Sequence, residues 1–343
     1  MDWRRSLSIA LVYVGTVVGA GFASGREIVE FFSKYGFSGM IGIFFSGCLF
    51  MYFGRKIMIL SIRIRAKNFD EFNRFLFGPA LAPLVTFIQF LMLIGVTSVM
   101  LSGTAALFEE QLRLPGAAGL LLTVLLAGAV ITMGKRGVVF VNGMVVPLLV
   151  LFSFSLLWKS AEFGDFPGKV FSFDGFRISA LNSAVAYAAF NIALAQGVLV
   201  PAAAEIGDVR TVKLGGLLGG AILTAVMLAS HFVLVQLPDP ASFQIPMGAV
   251  IGRLAGSFYF LYILVIYGEI LTTIIGNVYG LERFLQTHFP GGKRRLGLFI
   301  FFSCLLLSLI PYGTLLGFLY PLFGYVSLIY FLFLLLRGKR QGE

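Results

Sequence analysis

Gly15-Thr16-Val17-Val18-Gly19-Ala20-Gly21-Phe22-Ala23-Ser24-Gly25-Arg26-Glu27 lies in the first apolar run of the chain, and a uniform helix does not suit it. Four glycines fall within eleven residues, and each costs up to about 1 kcal/mol relative to alanine in a helix interior. A helix-packing face is the plainer explanation, because Gly15/Gly19 and Gly21/Gly25 both have small-xxx-small spacing. Against it stands the charged turn that follows the last glycine while still at membrane depth. Arg26 and Glu30 lie four apart and can neutralise each other on one helical face. Glu27 is left over, which points to an interrupted helix whose exposed backbone has work to do.

Around this stretch the chain reads as membrane protein throughout. Of 343 residues, 58% are hydrophobic and 12% charged, against about 25% charged in an ordinary soluble domain. Soluble globular, disordered and disulfide-scaffold classes are excluded on that ground. Charge-to-charge reading gives spans at about 6–34, 37–60, 79–108, 114–134 and 137–160, then 178–205, 214–237 and 254–282. The apolar stretch from Leu296 to Leu336 covers 41 residues, about 62 Å as one helix and twice the hydrocarbon core, so it divides into two. The break falls near Pro311-Tyr312-Gly313 or near Tyr320-Pro321; division at the first gives spans of about 296–311 and 313–336. The expectation is an all-α polytopic membrane protein of ten transmembrane helices.

The net charge of +10 is a topology signal. With the N-terminus inside, 19 lysines and arginines fall on inner segments and six on outer ones, with Arg26 at a membrane position, so the positive-inside rule places both termini in the cytoplasm of a plasma-membrane protein. No basic stripe shares a face with stacking aromatics, so nucleic acid is not an expected partner. The 37 phenylalanines are read as lipid-facing and packing surface. Met1 to Ala23 has the outline of a signal peptide, but nine further spans with consistent charge alternation follow it. Cys48 and Cys304 lie inside apolar runs and are expected as packed thiols. His231 and His288 share no ligand spacing with them, so no zinc site is expected. Gly215-Gly216-Leu217-Leu218-Gly219-Gly220 reads as a close-packing face rather than a phosphate loop.

The sixth span carries a second interruption. Tyr187-Ala188-Ala189-Phe190-Asn191-Ile192-Ala193-Leu194-Ala195-Gln196-Gly197 precedes Pro201 and Glu205, at about the depth where Gly19 to Gly25 interrupt span one. Paired interruptions in two halves are the sequence pointer to an inverted-repeat transporter site. The halves are then 1–177 and 178–343, five spans each and opposite in orientation.

Gly15 to Gly25, followed by Arg26-Glu27-Ile28 and Phe31-Phe32, resembles the first-helix signature of the YkvI-like amino-acid permeases of the amino acid–polyamine–organocation superfamily. The resemblance covers essentially the whole chain. It implies the five-plus-five inverted-repeat fold typified by LeuT, with helices one and six broken around a central solute. Free N–H groups around Ala23 to Arg26 would then meet a carboxylate, and carbonyls around Val18 to Gly21 and near Phe190 to Ile192 an ammonium. The expected solute site is Gly19, Ala20, Gly21, Phe22, Ala23, Ser24, Gly25, Tyr187, Phe190, Asn191 and Ile192. By the same resemblance the carbonyls of Gly15 and Val18 and the hydroxyls of Thr272 and Thr273 form a sodium site, and no other cofactor is implied. That resemblance also implies an outer gate pairing an arginine with an acid on helix ten; the last span has none, so Arg26 is expected to pair with Glu30 or Glu27.

Glu269 lies near the middle of the eighth span, where an acid costs about 2.5–3.5 kcal/mol on insertion scales and is functional by default. With Glu27 it is the candidate coupling group, and sodium or a proton on Glu269 remain alternatives. The expected function is a cation-coupled amino-acid or small-solute permease working by alternating access. The other reading is a non-transporting, solute-sensing subunit of the same fold, like the permease-shaped parts of germinant receptors. An embedded enzyme needs a polar catalytic constellation that the spans lack.

Overall fold

The structure is a computed structural model, and it describes residues 2–161, 175–240, 246–254, 259–288 and 293–338. Those residues form helices and connecting turns with no strand among them. Helix α1 (Trp3–Val17) is capped by the Asp2 side chain, which accepts from the Arg5 amide. It stops at Val18, whose φ and ψ of −79° and 134° are extended. A four-residue α2 (Ala20–Ala23) and a six-residue α3 (Arg26–Phe31) follow. Between them Gly25 takes φ 82°, a left-handed conformation glycine adopts without steric cost. The first span is therefore interrupted, at Val18–Gly19 and again at Ser24–Gly25.

Next come α4 (Phe37–Arg63), α5 (Phe69–Glu110), α6 (Gly116–Thr132) and α7 (Lys135–Ala161). In α5 the helix is kinked at Gly78 (φ 78°, ψ 173°), directly before Pro79, where the sequence places the start of the third span. The second half holds α8 (Ile178–Ile206), α9 (Val209–Leu234), α10 (Pro246–Leu254), α11 (Tyr259–His288), α12 (Lys293–Leu307) and α13 (Tyr312–Gly338). Among the described residues seven helices are long and apolar enough to cross a bilayer, and Gly116–Thr132 and Gly297–Leu307 are shorter apolar helices. The 41-residue run does divide, at Ser308 to Pro311, while Pro321 lies within α13. The start of the predicted eighth span, between Leu254 and Tyr259, lies outside the described residues.

One expectation is overturned here. The sixth helix is not broken: α8 is continuous for 29 residues through Asn191, Gln196 and Gly197. Its polar residues find partners without unwinding. Asn191 Nδ2 donates to the Tyr187 carbonyl one turn back at 3.0 Å, and Gln196 bonds across to neighbouring helices. Carbonyls at Phe190 to Ile192 are consequently spent inside the helix, not released to a solute.

The glycine stripe on α9 packs as its spacing predicts. A Cβ on Gly216 would lie 2.7 Å from Arg55 Cα, one on Gly220 2.6 Å from the Met51 nitrogen, and one on Gly219 2.6 Å from Tyr13 Cδ1. Backbone approach this close seats α9 against α4 and α1 together. Tyr13 completes the contact, its hydroxyl donating to the Phe50 carbonyl at 3.0 Å. Large apolar side chains such as Trp158, Phe260 and Leu309 face outward, the surface a bilayer would cover. Cys304 is buried and Cys48 exposed, and both are free.

Candidate functional site

The break between α1 and α2 faces α11. The last carbonyls of an α-helix have no intrahelical donor. At the end of α1 the Val14 carbonyl takes the Val18 amide at 2.8 Å, and the Val18 carbonyl takes the hydroxyl of Thr273 at 2.9 Å. That hydroxyl also lies 2.9 Å from the Glu269 carbonyl, as does the hydroxyl of Thr272. Thr272 Oγ1 is 3.4 Å from Glu269 Oε2, and Glu269 Oε1 is buried with no partner. Glu269 is fully enclosed. Gly19 lets this junction close, since a Cβ there would sit 3.2 Å from Thr273 Oγ1.

Asn142 on α7 joins the same region, and the sequence does not single it out. Its Nδ2 donates to the Val138 carbonyl at 2.7 Å, leaving Oδ1 buried, without a partner, and pressed against Gly15. The signal was present as the one amide side chain within the apolar run Gly137–Trp158. The Thr272 and Thr273 hydroxyls, with two protons between them, thus lie beside three acceptor oxygens, the Val18 and Glu269 carbonyls and Glu269 Oε2, while Glu269 Oε1 and, against Gly15, Asn142 Oδ1 are left with no donor. A hydroxyl donates once, so the acceptors are in excess. Such a set suits a cation.

Beyond the break, Phe22, Ala23 and Ser24 are buried, and the side chain of Ala20 lies outside the described set. Gly21 makes room for a side chain of this chain: a Cβ there would stand 2.8 Å from Glu27 Cδ. Glu27 is 4% exposed, and Tyr320 and Tyr187 lie beside its carboxyl. The Tyr187 hydroxyl has no partner of full hydrogen-bond geometry. Phe190 lies 5.0 Å from Tyr320 ring to ring, and Phe31 and Phe32 each 5.1 Å from Tyr187. Tyr312 borders the same place, near Ser24 and Glu27. The structure brings Gly21, Glu27, Tyr187 and Phe190 into one region with Tyr312 and Tyr320 from α13, while Asn191 and Ile192 are buried within α8. Glu30 has its ion pair with Lys34, at 2.6 Å, a pairing the sequence reading did not include.

Two further polar features flank the centre. A buried network runs from Gln196 to Gln89 (2.7 Å), Asn73 (3.3 Å) and Tyr330 (2.7 Å), and on through Thr86 to Asp70. Toward the chain's N-terminal end, a cavity of about 740 Å³ is lined by Arg5, Ile9, Val12, Arg136, Glu205 and Tyr279. It reaches Val12, whose carbonyl accepts from the Thr16 hydroxyl at 2.6 Å. At its rim Glu205 is paired with Arg283 and accepts from the Tyr279 hydroxyl at 3.0 Å. No group of three or more potential metal-binding His, Cys, Asp or Glu side chains occurs among the described residues.

No protein-family model matches the chain. It is 46% identical over 322 residues to the uncharacterized membrane protein YkvI of Bacillus subtilis (strain 168), covering 94% of this chain and 93% of that one. It is 25% identical over 340 residues to the uncharacterized protein YyaD of the same organism, covering 98% of each. Among solved structures, MhsT in complex with L-phenylalanine superposes with a TM-score of 0.71 at 14% identity, over 94% of this chain and 85% of that one. A substrate-bound, outward-open Na+-coupled sialic acid symporter gives 0.68 at 11% identity, over 94% and 75%. At those identities the likeness is one of fold, and the fold is the LeuT type.

Proposed function

The chain belongs to the YkvI family of membrane proteins, and from that premise we propose that it is a sodium-coupled secondary transporter of a small organic solute, working by alternating access. The observation that carries the proposal is the excess of buried acceptors where α1 ends against α11 and α7. Glu269 Oε1 and Asn142 Oδ1 lack donors, and burying such groups unpaired is costly. A sodium ion held by Val18, Thr272, Thr273 and the Glu269 and Asn142 side chains fits them; Gly15 contributes the last turn of α1. Unwound carbonyls at a broken membrane helix are the usual ion ligands of inverted-repeat carriers. MhsT and the sialic acid symporter share the fold, and the sodium coupling of that symporter supports the same coupling here.

The span count follows from the same reading. Seven long helices, the two shorter apolar ones, and α1 to α3 taken as one interrupted span make ten. We divide them five and five at 177/178 with both termini in the cytoplasm, although only the first half carries the break. The 740 Å³ cavity beside Arg5, Arg136 and Glu205 then opens to the cytoplasm, so this conformation faces inward. Release passes below Thr16, and Glu205–Arg283 stands at its mouth. The solute site lies on the far side of the break, among Gly19 to Gly25, Glu27, Tyr187 and Phe190. The resemblance to amino-acid permeases makes amino acids and their amine derivatives the first solutes to try.

The test is uptake into liposomes containing the purified protein, using radiolabelled amino acids and the corresponding amines. An inward sodium gradient should drive accumulation that a sodium ionophore abolishes. Accumulation driven by a pH gradient alone would assign coupling to a proton on Glu269, and saturable binding with no uptake would leave a sensor.

A further inference from the structure

The surroundings of Glu27 bear on which solute is carried. This carboxyl sits directly after the second interruption, 4% exposed, folded back against Gly21. Tyr320 and Tyr187 lie beside it, and the Phe190 ring stands 5.0 Å from that of Tyr320. No ion pair to Glu27 is found among the described residues. A buried carboxyl with aromatic side chains beside it is the chemistry that recognises an ammonium group.

The opposite group is less well served. Three amides of the interrupted stretch are already used: Ala23 donates to the Gly19 carbonyl at 2.9 Å, Gly25 to the Phe22 carbonyl at 2.9 Å, and Arg26 to Ser24 Oγ at 3.4 Å. A solute carboxylate here would also lie against the buried Glu27 carboxyl, which supplies no cation to pair with it.

Resting on the transporter reading above, we infer that the solute is an organic cation without a carboxylate, an amine whose ammonium pairs with Glu27 between the Tyr187, Tyr320 and Phe190 rings. The sodium region and the amine region are then separate, divided by the break. A zwitterionic amino acid fits less well than the amine left when its carboxylate is removed.

The experiment measures binding by the purified full chain in detergent with saturating sodium, using two charge-matched series: phenethylamine, L-phenylalanine and 3-phenylpropionate; and ethylamine, L-alanine and propionate. The amine should bind at least tenfold more tightly than the zwitterion in one series or both, and the anions should not bind. Glu27→Gln should weaken amine binding at least tenfold while the protein is still stabilised by sodium. If Glu27→Gln does not fold, Tyr320→Phe should weaken the amine severalfold. A zwitterion that equals or exceeds its amine, unchanged amine affinity in these variants, or no amine binding in the wild type would each overturn the inference. Sodium stabilisation in the same samples reports separately on the transporter reading: its loss in the wild type counts against coupling, whatever the amines do.

Discussion

Thr273 Oγ1 stands 2.9 Å from the Val18 carbonyl and 2.9 Å from the Glu269 carbonyl, so a single hydroxyl ties the broken first helix to the eleventh. Its one proton serves one acceptor at a time. A cation at this junction would turn both hydroxyl oxygens into ligands and relieve the orphaned Glu269 Oε1 beside them.

Thr273→Ala should therefore remove sodium-dependent stabilisation, whereas Thr273→Ser should keep it. Ligand at a hundred times its dissociation constant stabilises the folded state by about 2.7 kcal/mol. A thermal melt with and without sodium reads that difference, and an unaltered sodium shift in Thr273→Ala would place the ion elsewhere.

Glu269→Gln should separate folding from coupling. Removing an enclosed charge that costs about 2.5–3.5 kcal/mol to insert at mid-membrane should leave the sodium-free protein at least as stable as the wild type. Gradient-driven uptake should disappear. Normal uptake with unchanged sodium dependence would remove this side chain from the mechanism.

Gln196 anchors three partners at once. Replacing it with leucine strands groups on Gln89, Asn73 and Tyr330, each worth about 1–3 kcal/mol when buried without a partner. Gln196→Leu should lower the melting temperature clearly. Adding Gln89→Leu should cost less than the sum of the two single changes, because the lost bond is then shared.

Gly280 faces backbone rather than side chain. A Cβ there would lie 2.6 Å from the Gly197 carbonyl oxygen, the carbonyl that Pro201, four residues on, cannot serve as donor. Gly280→Ala should destabilise by about 1–3 kcal/mol through helix separation. Gly297→Ala, with nothing within 4 Å, should be neutral or stabilising by up to about 1 kcal/mol. Equal melting temperatures for the two variants would contradict the contact.

The glycine run at Gly15 to Gly25 made the first break legible, because repeated backbone cost and a following charged turn agree. The same logic failed at Asn191 to Gly197. There the polar side chains satisfy partners across the bundle, and a single sequence cannot distinguish an amide that interrupts a helix from one that bridges two. Glu269 was visible as an isolated mid-span charge, and the Thr272/Thr273 pair acquired meaning only through the family resemblance. Asn142, Tyr312 and Tyr320 were hidden by the tertiary fold. Each is one polar or amphipathic side chain in an apolar run, and only packing shows which of those face the centre. Glu27 was found, but its neighbour Gly21 was read as space for a solute, whereas that space holds the Glu27 carboxyl.

Sodium-22 binding to the purified chain, measured at equilibrium for the wild type, Thr273→Ala and Asn142→Leu, tests the ion site most directly. The account predicts saturable binding in the wild type, displaced by unlabelled sodium, weakened at least tenfold in both variants. No saturable binding in the wild type, or equal binding in all three, would contradict it.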